Sequence, residues 1–514
     1  MKKLYQALIV GALTCALSAP AVAGEYYLAI GVKGKAGTVT PGNGSGGPGD
    51  PNAPASPYSI YFNDSVVPDA SINESYAFDL ASMVSVYGDE AFDPSKLIFS
   101  TAYGALPSGL SLSTAGQLTG TPADSGSTAF QVSALYKDTG ATQSFTIYVN
   151  GYPLTVSSIS VASDYACAVT TAGGVKCWGS NLNGNLGVGL SSSELFNSPK
   201  PLDVVGLTSG VANVYAGEFS ACAVTQAGAV KCWGSNYEGL LGVGLTADDL
   251  MSSPTPMQVS GLSSGVAQVS FGTFHACARL TNGSVKCWGN GSAGQVGDGA
   301  TGIRYTPATA NISGVSHLVS GGSHNCAITS SGMKCWGANN FGQLGDGTQT
   351  NRLSPVSVIG LGSIPVSAAA GSSSSCAVNA AGGALCWGVN NNGQLGNGTL
   401  DSAKTPVSTY YTSGVDSIAI SGQHACVKLT SGELRCWGGN YGGVFGNGVS
   451  DFSATFEPVA PLNLGSNVRS FAIGNYNTCV VLTDNTARCA GSGGLGQIGN
   501  GKLLNATVFA TVQQ

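Results

Sequence analysis

The sequence predicts an all-β protein with two folded parts, a small β-sandwich followed by a seven-bladed β-propeller that carries one disulfide per blade. Three observations lead there. The 514-residue chain is rich in Gly (76 residues) and only 9% charged, yet 43% hydrophobic, which suits turn-rich β-structure with an adequate core. A cassette of Cys, about nine residues, and Cys recurs seven times, beginning at Cys167, Cys222, Cys277, Cys326, Cys376, Cys426 and Cys479. Each period of roughly fifty residues holds four strand-like runs, and such a period marks a repeat architecture.

Taken in order, the chain opens on Lys2 and Lys3, an apolar run, and Ala21-Val22-Ala23. That is the form of a secretory signal peptide over residues 1–23, shorter than a membrane span. Thr14 before Cys15 argues against lipidation at that cysteine. Residues 24–57 read as one apolar strand and a Gly/Pro/Ser-rich linker. The mature protein is therefore expected to be exported, with no transmembrane segment, and to reside in the periplasm, at the cell surface or in the medium.

Residues 58–152 lack Cys and Trp, and alternating runs such as Phe130-Gln131-Val132 and Phe145-Thr146-Ile147 predict a β-sandwich. Leu106-Pro107-Ser108-Gly109-Leu110-Ser111-Leu112, followed by Gly116-Gln117-Leu118-Thr119-Gly120-Thr121-Pro122, resembles the signature of the Ig-like modules of bacterial surface proteins. The resemblance implies a spacer or adhesive unit.

Residues 153–514 carry the repeats. In the fourth repeat, strands are expected at 316–320, 326–329, 333–337 and 355–359. Four strands in each of seven repeats give seven blades, whose radial closure protects the sheet edges. Gly321-Gly322-Ser323-His324-Asn325-Cys326, then Trp336-Gly337, then Gly342-Gln343-Leu344-Gly345-Asp346-Gly347, resembles the repeat of the regulator of chromosome condensation family. That family mixes nuclear exchange factors, ubiquitin-ligase modules and secreted inhibitors, so the resemblance implies a fold and leaves the partner open.

The cassette pairs Cys167 with Cys177, Cys222 with Cys232, Cys277 with Cys287, Cys326 with Cys335, Cys376 with Cys386, Cys426 with Cys436 and Cys479 with Cys489. A Gly-rich turn midway makes the two cysteines opposed residues of an antiparallel hairpin, within reach of a disulfide. Export supplies the oxidising compartment. Zinc would need knuckle spacing and further ligands, which these isolated pairs lack. Trp follows the second cysteine in six repeats and Ala490 in the seventh. Strand alternation turns the ring to the opposite side from the sulfur, toward the blade-to-blade core.

No catalytic constellation, metal set or cofactor motif stands out. Asp298-Gly299 and Asp346-Gly347 read as turns, because calcium loops need alternating acidic ligands. The net charge of −6 is spread thinly, with no basic block, which argues against nucleic acid. If strands alternate in direction, the 1–2 and 3–4 loops share one face. They gather Tyr165, Phe196, Phe219, Leu250, Met251, Phe274, Arg304, Tyr305, Arg352, Phe452 and Tyr476, together with His275, His324 and His424. Aromatics ringed by charges resemble a protein-binding surface. The expected function is a secreted, monomeric, non-enzymatic binder of an unknown protein or surface macromolecule. The alternatives are a propeller-type enzyme inhibitor, or a carbohydrate-binding or carbohydrate-active protein using Asp248 or Asp249 near Asp203.

Overall fold

A computed structural model describes residues 58–451 and 454–514. The segments read as signal peptide and linker lie outside the described residues.

The sandwich follows from alternation. In Gly126–Tyr136 and Thr139–Asn150, which pair along their whole length, Phe130, Val132, Ala134, Phe145, Ile147 and Val149 are buried while their neighbours face outward. Ala70–Ser71 and Ile98–Tyr103 complete this sheet, and Tyr76–Asp79, Gln117–Gly120 and Leu110–Leu112 form a second. Phe99 and Leu118 join the common core. The signature glycines serve a close approach: a Cβ on Gly120 would lie 2.0 Å from the Gly109 carbonyl oxygen. Only Gly allows those two segments to meet.

Seven four-stranded antiparallel sheets follow, each in simple 1-2-3-4 order. Blade 1 consists of Val156–Val161, Tyr165–Thr170, Val175–Ser180 and Asn197–Asp203; blade 7 consists of Val468–Ile473, Asn477–Leu482, Ala487–Gly491 and Ala506–Thr511. First strands of successive blades pack on one another around the ring, and the first strand of blade 7 packs on that of blade 1. In blade 4 the strands are Val315–Ser320, His324–Thr329, Gly332–Gly337 and Arg352–Ser357. The outer strand starts three residues earlier than its sequence suggests. Arg352 pairs with Gly337 in register and is held by Asp346 at 2.7 Å.

All seven disulfides form, between directly opposed residues whose Cα atoms are 4.0–4.1 Å apart. The sulfurs lie in the blade interfaces and every bonded cysteine is fully buried. Six of the seven disulfides pack with the Trp of the following blade, among them Cys167–Cys177 with Trp233, Cys222–Cys232 with Trp288 and Cys479–Cys489 with Trp178. The indole N–H donates to a backbone carbonyl in the preceding blade, as Trp387 does to Gln343 at 2.8 Å. Gly345 lies directly beneath that ring at φ +67°, and a Cβ there would approach the indole nitrogen to 2.8 Å. The Gly-Gln-Leu-Gly element is thus the seat of the next blade's Trp.

The seventh repeat has Ala490 where Trp is expected, and Phe509 from its outer strand fills the gap. Phe509 shares a core with Ala490, Phe445 and Cys426–Cys436, and it is the ring that a Cβ on Gly446 would strike. Closure between blades 7 and 1 uses no exchanged strand. Leu154 N–H donates to Val512 O (2.8 Å), Val156 N–H to Asn485 O (2.8 Å), and Trp178 Nε1 to Gln497 O (3.0 Å). The sandwich meets the ring close to this seam. Lys200 Nζ reaches Ser125 O at 2.6 Å, and Lys502 Nζ reaches Asp69 at 2.5 Å while lying over the Tyr148 ring.

Phe509→Ala should destabilise the protein by about 3–5 kcal/mol, as for a buried aromatic. Leu503→Ala, on an exposed loop, should cost less than about 0.5 kcal/mol. Urea unfolding of both variants tests the assignment.

Candidate protein-binding face

Strand alternation places the 1–2 and 3–4 loops of every blade at one end of the ring. A buried Asn shapes most of the long 3–4 loops. Asn181 Nδ2 donates to Leu190 O and Leu195 O, each at 3.0 Å, and its Oδ1 accepts from Leu186 N at 3.1 Å; Asn236, Asn339, Asn390 and Asn440 bind their loops in related ways. These residues stand three after the Trp in five of the six Trp-bearing repeats, Gly291 taking the place in the third. That spacing is the signal these residues leave in the sequence. The shorter 1–2 loops bond across blades: Gly422 N–H to Asn475 Oδ1 (3.1 Å), Asn475 Nδ2 to Ser163 Oγ (2.9 Å), and Ser163 Oγ to Glu218 (2.8 Å).

Aromatic side chains meet where blades 2 and 3 adjoin. Phe219 stacks on Phe274 with centroids 5.3 Å apart and planes 12° apart, and Tyr237 meets Phe274 edge-on at 5.5 Å. Phe219 and Phe274 are half-buried and Tyr237 is exposed. Such contacts hold the rings in fixed orientation. Phe196 and Met251, on the 3–4 loops of blades 1 and 2, are more than half exposed, and Tyr476 is exposed on the 1–2 loop of blade 7.

Other expected face residues are placed differently. Tyr165 begins the second strand of blade 1 and is fully buried, its hydroxyl donating to Gly217 O at 2.8 Å; it offers no surface. Leu250 packs inward on the core of blades 2 and 3. Tyr305 is half-buried and wedged against Gly239 of the preceding blade. Arg304 and Arg352 are held by Asp298 (2.8 Å) and Asp346 (2.7 Å) of their own loops, so they brace those loops. Phe452 lies outside the described residues. The proposed carboxylate pocket is also lost. Asp203 ends the outer strand of blade 1 beside Lys176 at 2.9 Å, at the opposite end of the ring from the loop holding Asp248 and Asp249.

The face also contains carboxylates that aromatic content alone did not flag. Burial holds Asp164, Glu218 and Glu238 above the ordinary carboxylate range. For Glu218 the Ser163 bond opposes that rise and the nearby Asp164 charge adds to it; for Glu238 the bond from Asn290 opposes it. Tyr476 is raised by burial, then by Asp164 and Glu218. Among the described residues no group of three or more His, Cys, Asp or Glu is placed to hold a metal ion.

Two family models described as "Regulator of chromosome condensation (RCC1) repeat" match the ring, one at 211–240, 266–295, 315–343 and 415–444, the other at 227–279, 335–378 and 381–427. RCC1 repeats are thus found in blades 2 to 6. The "Putative Ig domain" model matches 59–150, so an Ig domain precedes the RCC1 propeller. The RCC1 domain-containing protein RUG3, mitochondrial, of Arabidopsis thaliana is 31% identical over 34% of this chain, and that alignment spans 40% of RUG3. Among solved structures, human WBSCR16 is similar at 21% identity (TM-score 0.59, covering 66% of this chain and 93% of WBSCR16). Prp20p of Saccharomyces cerevisiae is similar at 22% identity (TM-score 0.52, 62% and 80%). At these identities the structures speak to the fold.

Side-chain pairing across the blade interfaces explains why only three blades carry His two residues before the first cysteine. His275, His324 and His424 are fully buried, and each faces a polar side chain of the next blade: Asn325 at 3.0 Å, Ser375 at 2.8 Å and Thr478 at 3.3 Å. In the other blades the facing residue is Ala166, Ala221, Ala276 or Ala425, and no His is present. These His are interface struts, not ligands on the face. Burial lowers them to about 4 for His275 and about 3 for His324 and His424.

Depressed folded values stabilise the protein fully above the unfolded value of about 6.5, and this contribution is lost as pH falls toward the folded values. The urea midpoint should therefore decline from about pH 6.5 downward. His324→Gln should reduce that slope by about one proton. An unchanged slope would remove His324 from the linkage.

Proposed function

We propose that the chain is an exported, non-enzymatic binding protein that engages another protein through the 1–2 and 3–4 loop face of its propeller. The observation that carries this reading is the aromatic group of Phe219, Phe274 and Tyr237, fixed by ring contacts and flanked by exposed Phe196 and Met251. Rigid, partly exposed aromatics at the centre of a face are the usual anchors of protein interfaces. Similarity to Prp20p, whose structure was described with its binding properties to Gsp1p and histones, supports a protein partner. Export is supported by the basic and apolar N-terminal pattern and by seven disulfides, which persist best in oxidising compartments. Among the described residues no helix is long and apolar enough to cross a membrane.

The triple variant Phe196→Ser, Tyr237→Ser, Met251→Ser should retain its melting temperature within a few degrees, since exposed substitutions cost little. It should lose partner capture by about tenfold or more in quantitative cross-linking with the full mature chain. Equal capture by the variant would move the interface elsewhere.

A further inference from the structure

The face is not uniform around the ring. The 1–2 and 3–4 loops of blades 1 and 2 contain six carboxylates, Asp164, Glu194, Glu218, Glu238, Asp248 and Asp249, and no Lys, Arg or His. The corresponding loops of blades 3 to 7 contain Asp298, Asp346, Asp401 and Asp451, of which the first two are neutralised by Arg304 and Arg352. Lys502, in the loop of blade 7, is turned to Asp69 of the Ig domain. A chain that is only 9% charged has thus gathered like charges on two adjacent blades. Like charges brought together in this way repel one another.

The same two blades, together with the adjoining blade 7 (Tyr476, Leu503 and Leu504), expose the most large apolar side chains on the face. Leu182, Leu190 and Phe196 in blade 1, and Tyr237, Leu245 and Met251 in blade 2, are all exposed. The described equivalent loops of blades 3, 4, 5 and 6 each expose a single large apolar side chain, Ile303, Phe341, Leu400 and Val449. Exposed apolar side chains in such number mark a contact surface. Two carboxylates there have fixed positions. Glu194 accepts from Ser191 N at 2.9 Å, and Asp249 accepts from Thr246 N at 3.1 Å and from its hydroxyl at 2.7 Å. These bonds favour the ionised forms, so both carboxylates stay charged as pH falls through the ordinary range.

Resting on the protein-binding reading above, we propose that blades 1 and 2 dock a cationic amphipathic segment of the partner protein. Its apolar side chains seat among Phe196, Tyr237 and Met251, and its Lys or Arg side chains meet the surrounding carboxylates. Charge complementarity selects this occupant. An anionic segment, nucleic acid or an anionic lipid surface would be repelled by the same six groups. The carboxylates steer encounter and choose the partner, while the apolar side chains provide most of the affinity.

The test uses the full mature chain and two labelled 18-residue synthetic helices, one bearing Lys and Arg opposite a Leu/Trp face, the other bearing Glu in place of the cations. Fluorescence anisotropy at 50 and 500 mM NaCl should show the cationic peptide binding and the anionic one not. Affinity should fall about tenfold with salt, and by a similar factor in Glu194→Gln/Asp248→Asn/Asp249→Asn. No binding of the cationic peptide at 50 mM, equal binding of the anionic peptide, or unchanged affinity in the neutralised variant would each overturn the cationic partner. So would salt-sensitive self-association by sedimentation, which would assign the face to a second copy. The Phe196→Ser/Tyr237→Ser/Met251→Ser variant, measured alongside, separates the two readings. Loss of partner capture there keeps the face as the binding surface even when the charge argument has failed, and binding indifferent to both variants overturns both.

Discussion

The structure depends on a contact made at six of the seven blade interfaces, in which the disulfide of one blade packs against the indole of the next. Neither group does this alone. The disulfide joins the two central strands of its blade by closing a loop of nine or ten residues, worth about 2.5 kcal/mol in the chain-entropy model. The Trp contributes a large buried surface together with one N–H that must find an acceptor in a dry interface. The acceptor is a carbonyl of the preceding blade's 3–4 loop, as Gln295 O is for Trp336 at 3.0 Å. Core packing and the placement of the face loops are therefore one device.

At the seventh interface, between blades 6 and 7, Ala490 and Phe509 together occupy the Trp position, without an indole N–H. The adjoining loop of blade 6 still closes through its own Asn440, which accepts from Phe445 N at 3.1 Å. The ring closes next door, where Trp178 restores the usual contact to Gln497. Geometric closure thus falls at an interface with the full device, one blade beyond the substituted one.

Much of this architecture was legible because the repeats report the same disulfide hairpin seven times. Cys spacing and the Trp that follows have a local signature, and each performs the job its pattern implies; the Gly-Gln-Leu-Gly element carries only a family resemblance in the sequence, and the structure makes it the seat of the next indole. The face was less legible, for a physical reason. Whether a residue between strands one and two points outward depends on its exact position at the strand start. Tyr165 and the three His sit one step inside, where the side chain crosses to the neighbouring blade. Arg304 and Arg352 are paired with Asp residues six positions earlier, and a turn-forming Asp-Gly pattern does not reveal that pairing. The acidic bias of blades 1 and 2 could be counted in the sequence, but only the topology says that those two pairs of loops share one end of the ring.

A scaffold of this kind separates stability from recognition. The staples and indoles are buried, so the loops can vary without touching them, and the loops stay ordered because Asn and Trp contacts reach them from below. The central claim is that the Trp of one blade holds the face loop of the blade before it. Hydrogen–deuterium exchange of Trp233→Phe tests it most directly, since Trp233 Nε1 donates to Asn185 O at 2.8 Å. Exchange over residues 184–196 should accelerate by about tenfold, the equivalent of one lost hydrogen bond, while the strand Tyr165–Thr170 keeps its protection. Uniform acceleration across both, or none in the loop, would contradict the coupling.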